Sequence, residues 1–168
     1  MLNRRFGLSE SRKLKSFGYS AVLVAVEGEG SDDDAVKLAC DLLGSTSSTL
    51  YIVYIIEVDR GLPLDVEAEI APATAKGEEI LKDMEEVAKP HKLNVQAELL
   101  LSRRAGSAVV QEAVDKQVDA IVLAVPYQQQ YGLFSIGDTA DYVLKTAPCR
   151  VILWRNFIEG QQSLNNHE

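Results

Sequence analysis

The sequence predicts an α/β protein built on one doubly wound, five-stranded parallel sheet with helices on both faces. Strand-like runs that are apolar almost throughout, chiefly Ala120–Ala124 and residues 19–26, suit strands covered on both sides. These runs alternate along the chain with segments whose apolar residues recur at helical spacing, the pattern of repeated βαβ units. The stretch from Asp119 to Trp154 reads strand, loop, helix, strand, and its loop falls at the carboxyl end of its first strand. In open α/β sheets that is where ligands sit.

Each element has its own justification. Residues 19–26 form the first strand, which ends at Glu27 and is followed by a turn over residues 28–31. Ser31 with Asp34 reads as a weaker form of capping box, and Asp32, Asp33 and Asp34 stand where the positive end of a helix favours carboxylates. That helix runs to about Leu43 on an apolar face of Ala35, Leu38, Ala39 and Leu42, and Gly44 ends it. Gly28-x-Gly30 between strand and helix falls short of a dinucleotide fingerprint. Asp33 takes the place of the third glycine, and a pyrophosphate would meet three carboxylates.

Residues 50–56 form the second strand, followed by a loop containing Gly61 and Pro63. The longest helix spans about 67–89, with Ile80, Met84 and Val87 as its buried stripe. Its charges Glu78 with Lys82, Lys82 with Glu86, and Glu85 with Lys89 read as solvent-side pairs. Pro72 delays or bends its start and Pro90 closes it. Residues 93–101 alternate through Val95, Ala97 and Leu99, as suits an edge strand. The next loop carries Arg103 and Arg104, which could hold an anion near a helix start or stand as ordinary surface charges. Val110, Ala113 and Val114 line the helix that follows. After Ala120–Ala124 comes a loop over 125–136, then a helix opened by Gly137, Asp138 and Thr139 with Ala140, Val143, Leu144 and Ala147 as its apolar set. Pro148 stops it, and residues 149–154 form the last strand.

The spacing at the site carries a resemblance to a known family. From the strand end the chain reads Ala124, two residues, Tyr127, nine residues, Gly137, then Asp138, and it closes on Ala147-Pro148-Cys149-Arg150-Val151. In register this resembles the universal stress proteins, whose nucleotide-binding members place glycines at the first three of these positions and Ser or Thr at the fourth. The resemblance implies strand order 3-2-1-4-5, an adenine-nucleotide α-hydrolase-like fold, and a nucleotide site drawn from Glu27, Gly28, Ile55, Ala124, Tyr127, Gly137, Asp138 and Thr139. The family usually has aspartate where Glu27 stands, at the rim of the adenine pocket.

Most of the phosphate-binding letters are changed. Pro126 offers no amide N–H, Tyr127 brings bulk, and no lysine or arginine lies between Gln117 and Leu144. Asp138 reads as an N-cap whose carboxylate competes with phosphate for the helix-end amides, unless a Mg²⁺ ion bridges the two. ATP or AMP with Mg²⁺ is therefore disfavoured, and no cofactor or metal is expected. Residues 127–131 offer neutral donors, acceptors and aromatic faces to a small uncharged ligand or a protein.

No nucleophile and base pair is evident, so no catalytic residue is named and the expectation is a non-enzymatic regulatory or interaction domain. A stress-response switch that binds a nucleotide, ATP, AMP or a cyclic dinucleotide, with slow or no hydrolysis is the alternative. The segments 62–65 and 147–150 resemble universal-stress domains attached to, or encoded beside, amino-acid and cation transporters, which implies a transporter partner.

At 168 residues, 46% hydrophobic and 25% charged, the chain is sized for one core. The expected divisions are a basic N-terminal tail over 1–17, the domain over 18–156 and a polar tail over 157–168. A net charge of −8 argues against nucleic-acid binding. The tail carries Arg4, Arg5, Arg12, Lys13 and Lys15 against Glu10, which allows weak contact with an anionic membrane surface. No membrane-spanning run or signal-peptide core is apparent, so the expected location is the cytoplasm. Cys40 and Cys149 read as reduced, buried thiols. The apolar edge strand Arg150–Trp154 predicts a homodimer.

Overall fold

The computed structural model describes residues 18–59, 61, 67–125, 128–130 and 133–155. Its elements follow one another as β1 (Ala21–Val26), α1 (Asp32–Leu42), β2 (Thr49–Glu57), α2 (Glu67–Ala88), β3 (Asn94–Ser102), α3 (Ala105–Asp115), β4 (Ala120–Ala124), β5 (Gln128–Gln130), β6 (Leu133–Ser135), α4 (Gly137–Thr146) and β7 (Arg150–Trp154). Five strands pair in the order β3-β2-β1-β4-β7, with every pair parallel, as the family resemblance implied. The order reverses between β1 and β4. Because crossovers are right-handed, that reversal sends α1 and α2 to one face and α3 and α4 to the other.

The two faces have separate cores. Val22, Val24 and Val26 of β1 point toward α1 and α2, where they meet Ala35, Val36, Ala39, Leu81 and Met84. Leu23 points the other way, toward Val109 and Ala113 of α3 and Ala140 and Val143 of α4. Alternate residues of one strand thus fill two cores, which is why the strand reads as apolar throughout. At the amino ends of the strands, Asp119 Oδ2 accepts the backbone N–H groups of Ser20 and Ala21 at 2.7 and 3.1 Å, tying β1 to β4.

Several local expectations shift. Ser31 occupies the N-cap position of α1 but makes no side-chain cap. Instead Asp32, 1% exposed, accepts three backbone N–H groups at Oδ2, from Glu27 at 3.0 Å, Gly28 at 2.7 Å and Glu29 at 3.1 Å. A longer reach back over the turn satisfies more donors than a serine hydroxyl can. In α3 Ala113 is buried as expected and is joined by Val109, whereas Val114 is exposed, and in α4 Leu144 is exposed while Ala140 and Val143 are buried. Lys89 pairs with Glu86 at 3.2 Å, one turn back, in place of Glu85. Pro72 lies within α2. Both cysteines are free; Cys40 is buried, and burial pushes its thiol up to about 11, whereas Cys149 is only half-buried.

The stretch read as a loop over 125–136 contains an antiparallel hairpin, in which Gln128 pairs with Ser135 and Gln130 with Leu133. Residues 126, 127, 131 and 132 lie outside the described residues, as do both tails.

Candidate functional site

The carboxyl ends of β1, β2 and β4 open into a branched cleft at the point where the strand order reverses. Three cavities make it up, of about 230, 220 and 680 Å³, and Thr139 lines all three. The first runs between β1, β4 and the start of α4, with Glu27, Ala124, Gly137 and Asp138 in its wall. The second lies toward β2, where Glu27 meets Ile55 and Glu57. The third is an outer arm between the loop after β3, the start of α3 and the length of α4, lined by Arg103, Arg104, Asp138 and Lys145 among others.

Of the residues the sequence singled out, Glu27, Ile55, Ala124, Gly137, Asp138 and Thr139 come together here. Gly28 lines none of these cavities. Its φ is +84°, so the backbone favours glycine there, and a Cβ would stand 2.6 Å from Ile80 Cδ1 of α2, the end of a side chain that would have to turn aside. Its contribution is to shape the turn. Tyr127 lies outside the described residues.

The start of α4 departs from the expected cap. The helix begins at Gly137, whose φ is +81°, with Ile136 in the N-cap position and Asp138 in the first turn. The Gly137 N–H donates to Ser135 Oγ at 3.2 Å. Asp138 is therefore not an N-cap, but its carboxylate still lies in the first turn of α4 and in the wall of the inner cavity.

Among the described residues that line the two inner cavities, every charged side chain is acidic: Glu27, Glu57 and Asp138. Burial raises the pKa of Glu27, and the neighbouring charges of Asp32, Glu29 and Glu57 add to the shift. A carboxylate held above its ordinary range marks a site where further negative charge is unwelcome.

Sequence reasoning missed two features. The first is Glu57, whose Oε1 accepts the Ala105 N–H at 2.5 Å and so covers the start of α3. Its place at the end of the strand beside β1 was the available signal. The second is the reach of Arg103 and Arg104. The absence of cations between 117 and 144 holds in sequence, yet the loop after β3 brings these two into the same cavity wall as Asp138. Among the described residues no cluster of His, Cys, Asp and Glu could hold a metal ion, and no helix is long and apolar enough to cross a membrane.

Comparison with known proteins agrees with this fold. A sequence model described as the universal stress protein family matches residues 18–155. Universal stress protein MJ0531 of Methanocaldococcus jannaschii is 24% identical over 139 residues, covering 80% of this chain and 81% of its own length. A universal stress protein solved in complex with cAMP superposes with a TM-score of 0.60 at 19% identity, over 82% of this chain and 98% of that one. Another from Archaeoglobus fulgidus, in complex with dAMP, gives a TM-score of 0.59 at 18% identity, over 81% and 98% of the two chains.

Proposed function

Because the chain belongs to the universal stress protein family, we propose that it is a non-enzymatic regulatory domain whose cleft responds to a small ligand or a protein partner and does not hold Mg-ATP tightly. One observation carries this reading: the inner cavities place Glu27, Glu57 and Asp138 around the space next to the start of α4, with no cation among their described lining residues. A triphosphate there would face carboxylates where it needs amides and cations. Each such contact costs on the order of 1–3 kcal/mol, so two or three together move a micromolar site past millimolar.

Titration calorimetry of the whole chain with Mg-ATP tests this, and no measurable heat is the expected result. The triple change Ala124→Gly, Tyr127→Gly and Asp138→Ser restores the family pattern and is expected to raise affinity. Low-micromolar binding by the unmodified protein that Asp138→Ala abolishes would show the carboxylate to be a metal ligand, and would overturn the reading.

A second reading, a nucleotide-binding switch, has its support in the relatives solved with cAMP and dAMP. Both ligands carry a single phosphate, so they ask less of an acidic cleft than ATP does. Three further expectations belong to the same proposal: a cytoplasmic domain over 18–156, a homodimer through Arg150–Trp154, and a transporter as partner.

A further inference from the structure

The outer arm is the largest of the three cavities, at about 680 Å³, within the range of sites that take small ligands. We propose that this arm is an oxyanion subsite, in which Arg103 and Arg104 take one phosphate group, either free or as a phosphomonoester. The inference rests on the reading of the cleft as a ligand site closed to triphosphate, and it gives the anion a place away from the β4–α4 connection.

The charges that line the arm differ in how they are engaged. Lys145 is held by Asp141 at 2.7 Å. Glu57 is committed to the Ala105 amide. Arg103 donates from Nη1 to the carbonyl of Asp59, which fixes its guanidinium and leaves the other donors of the fork. The Arg104 side chain makes no hydrogen bond or ion pair among the described residues, while its backbone is well anchored. Its N–H donates to Ser102 Oγ at 3.3 Å, and its carbonyl accepts from Ser102 Oγ at 3.1 Å and Ser107 Oγ at 3.0 Å.

An anchored residue with a free guanidinium beside a second, fixed one is suited to a tetrahedral oxyanion, because each planar fork can meet two oxygens at once. Asp138 also lines the arm and limits the charge it accepts. One phosphate is matched by two guanidiniums; a chain of three would extend toward Asp138 and Glu27.

The test uses the whole chain in phosphate-free buffer, titrated separately with inorganic phosphate, AMP and adenosine while backbone amide shifts are followed by NMR. Phosphate or AMP is expected to move the amides of Ala105, Gly106 and Ser107, and adenosine to leave them in place. Arg104→Ala should weaken binding of the anion by about ten-fold or more, Arg104→Lys by less, and neither should alter adenosine binding. Inorganic phosphate that binds as well as AMP identifies free phosphate as the occupant, and AMP preferred about ten-fold or more identifies a phosphomonoester; both outcomes support the subsite. Shifts centred on Gly137 to Thr139, unchanged anion binding in Arg104→Ala, or no shift with either anion up to about 10 mM would overturn it. Failure here leaves the Mg-ATP prediction untouched. Tight Mg-ATP binding would overturn that prediction and keep the subsite only if the shifts lie at 105–107.

Discussion

Asp32 carries a carboxylate to a position 1% exposed to solvent and holds three consecutive amides there. Burial raises its pKa, and the amide bonds from Gly28, Glu27 and Glu29 oppose the shift. Removing the acceptor leaves those donors without it, so Asp32→Ala should lower stability by about 1–3 kcal/mol, and the thermal midpoint by about 3–10 °C. Asp32→Asn keeps an acceptor oxygen and should lose less.

The pKa of Glu27 is raised as well. Its folded pKa lies above the ordinary 4.5 because of burial and its acidic neighbours. Folding therefore favours the protonated form, and stability falls as pH rises from about 4.5 through the raised value. Glu27→Gln should melt higher than the wild type at pH 7 and no higher near pH 4, read by thermal denaturation across that range. A gain that persists in acid would refute the electrostatic account.

At this scale the sequence was partly legible. Ala124, Gly137 and Thr139 could be placed by spacing from a strand end, because a parallel strand fixes where its loop begins. The role of Asp32 was not legible, because three adjacent aspartates look alike until the turn shows which one folds back. Arg103 and Arg104 could not be joined to Asp138, because their shared cavity depends on how two connections from different parts of the chain meet above the sheet.

Among the elements, α3 and α4 meet through a glycine. A Cβ on Gly106 would stand 2.9 Å from Tyr142 Cβ, an atom that cannot turn aside without moving its helix. Gly106→Ala should therefore cost about 1–3 kcal/mol despite alanine's better helix propensity, and it should be read as a fall in thermal midpoint. An unchanged midpoint would mean that the helices separate at no cost. The strands were the most legible elements, since their apolar runs are long and uninterrupted. The β5–β6 hairpin was not, because Gln128–Gln130 lacks the alternation that marks a strand and only its pairing with Leu133–Ser135 defines it.

For the whole molecule, the strand order leaves β3 and β7 as the two edges of the sheet. β7 is short and presents Val151, Ile152, Leu153 and Trp154 as partly buried residues in a single chain, as an unpaired apolar edge would. The wild type should sediment as a dimer at micromolar concentration, with Ile152→Lys shifting it toward monomer. A monomeric wild type would refute pairing through this edge. The strand order was legible only through the family resemblance, since apolar patterning fixes strands and not their neighbours.

The neighbours of β1 also bear on how the chain is made. β2 leaves a ribosome soon after β1, but the partner on the other side, β4, ends at Ala124. Until then a nascent chain that has paired β1 with β2, and β2 with β3, presents the row of apolar residues destined for the middle of the sheet as an open margin. Such a half-built sheet is an aggregation hazard. Slow translation between β3 and β4 would lengthen that exposure, and a chain cut before Ala120 would never end it.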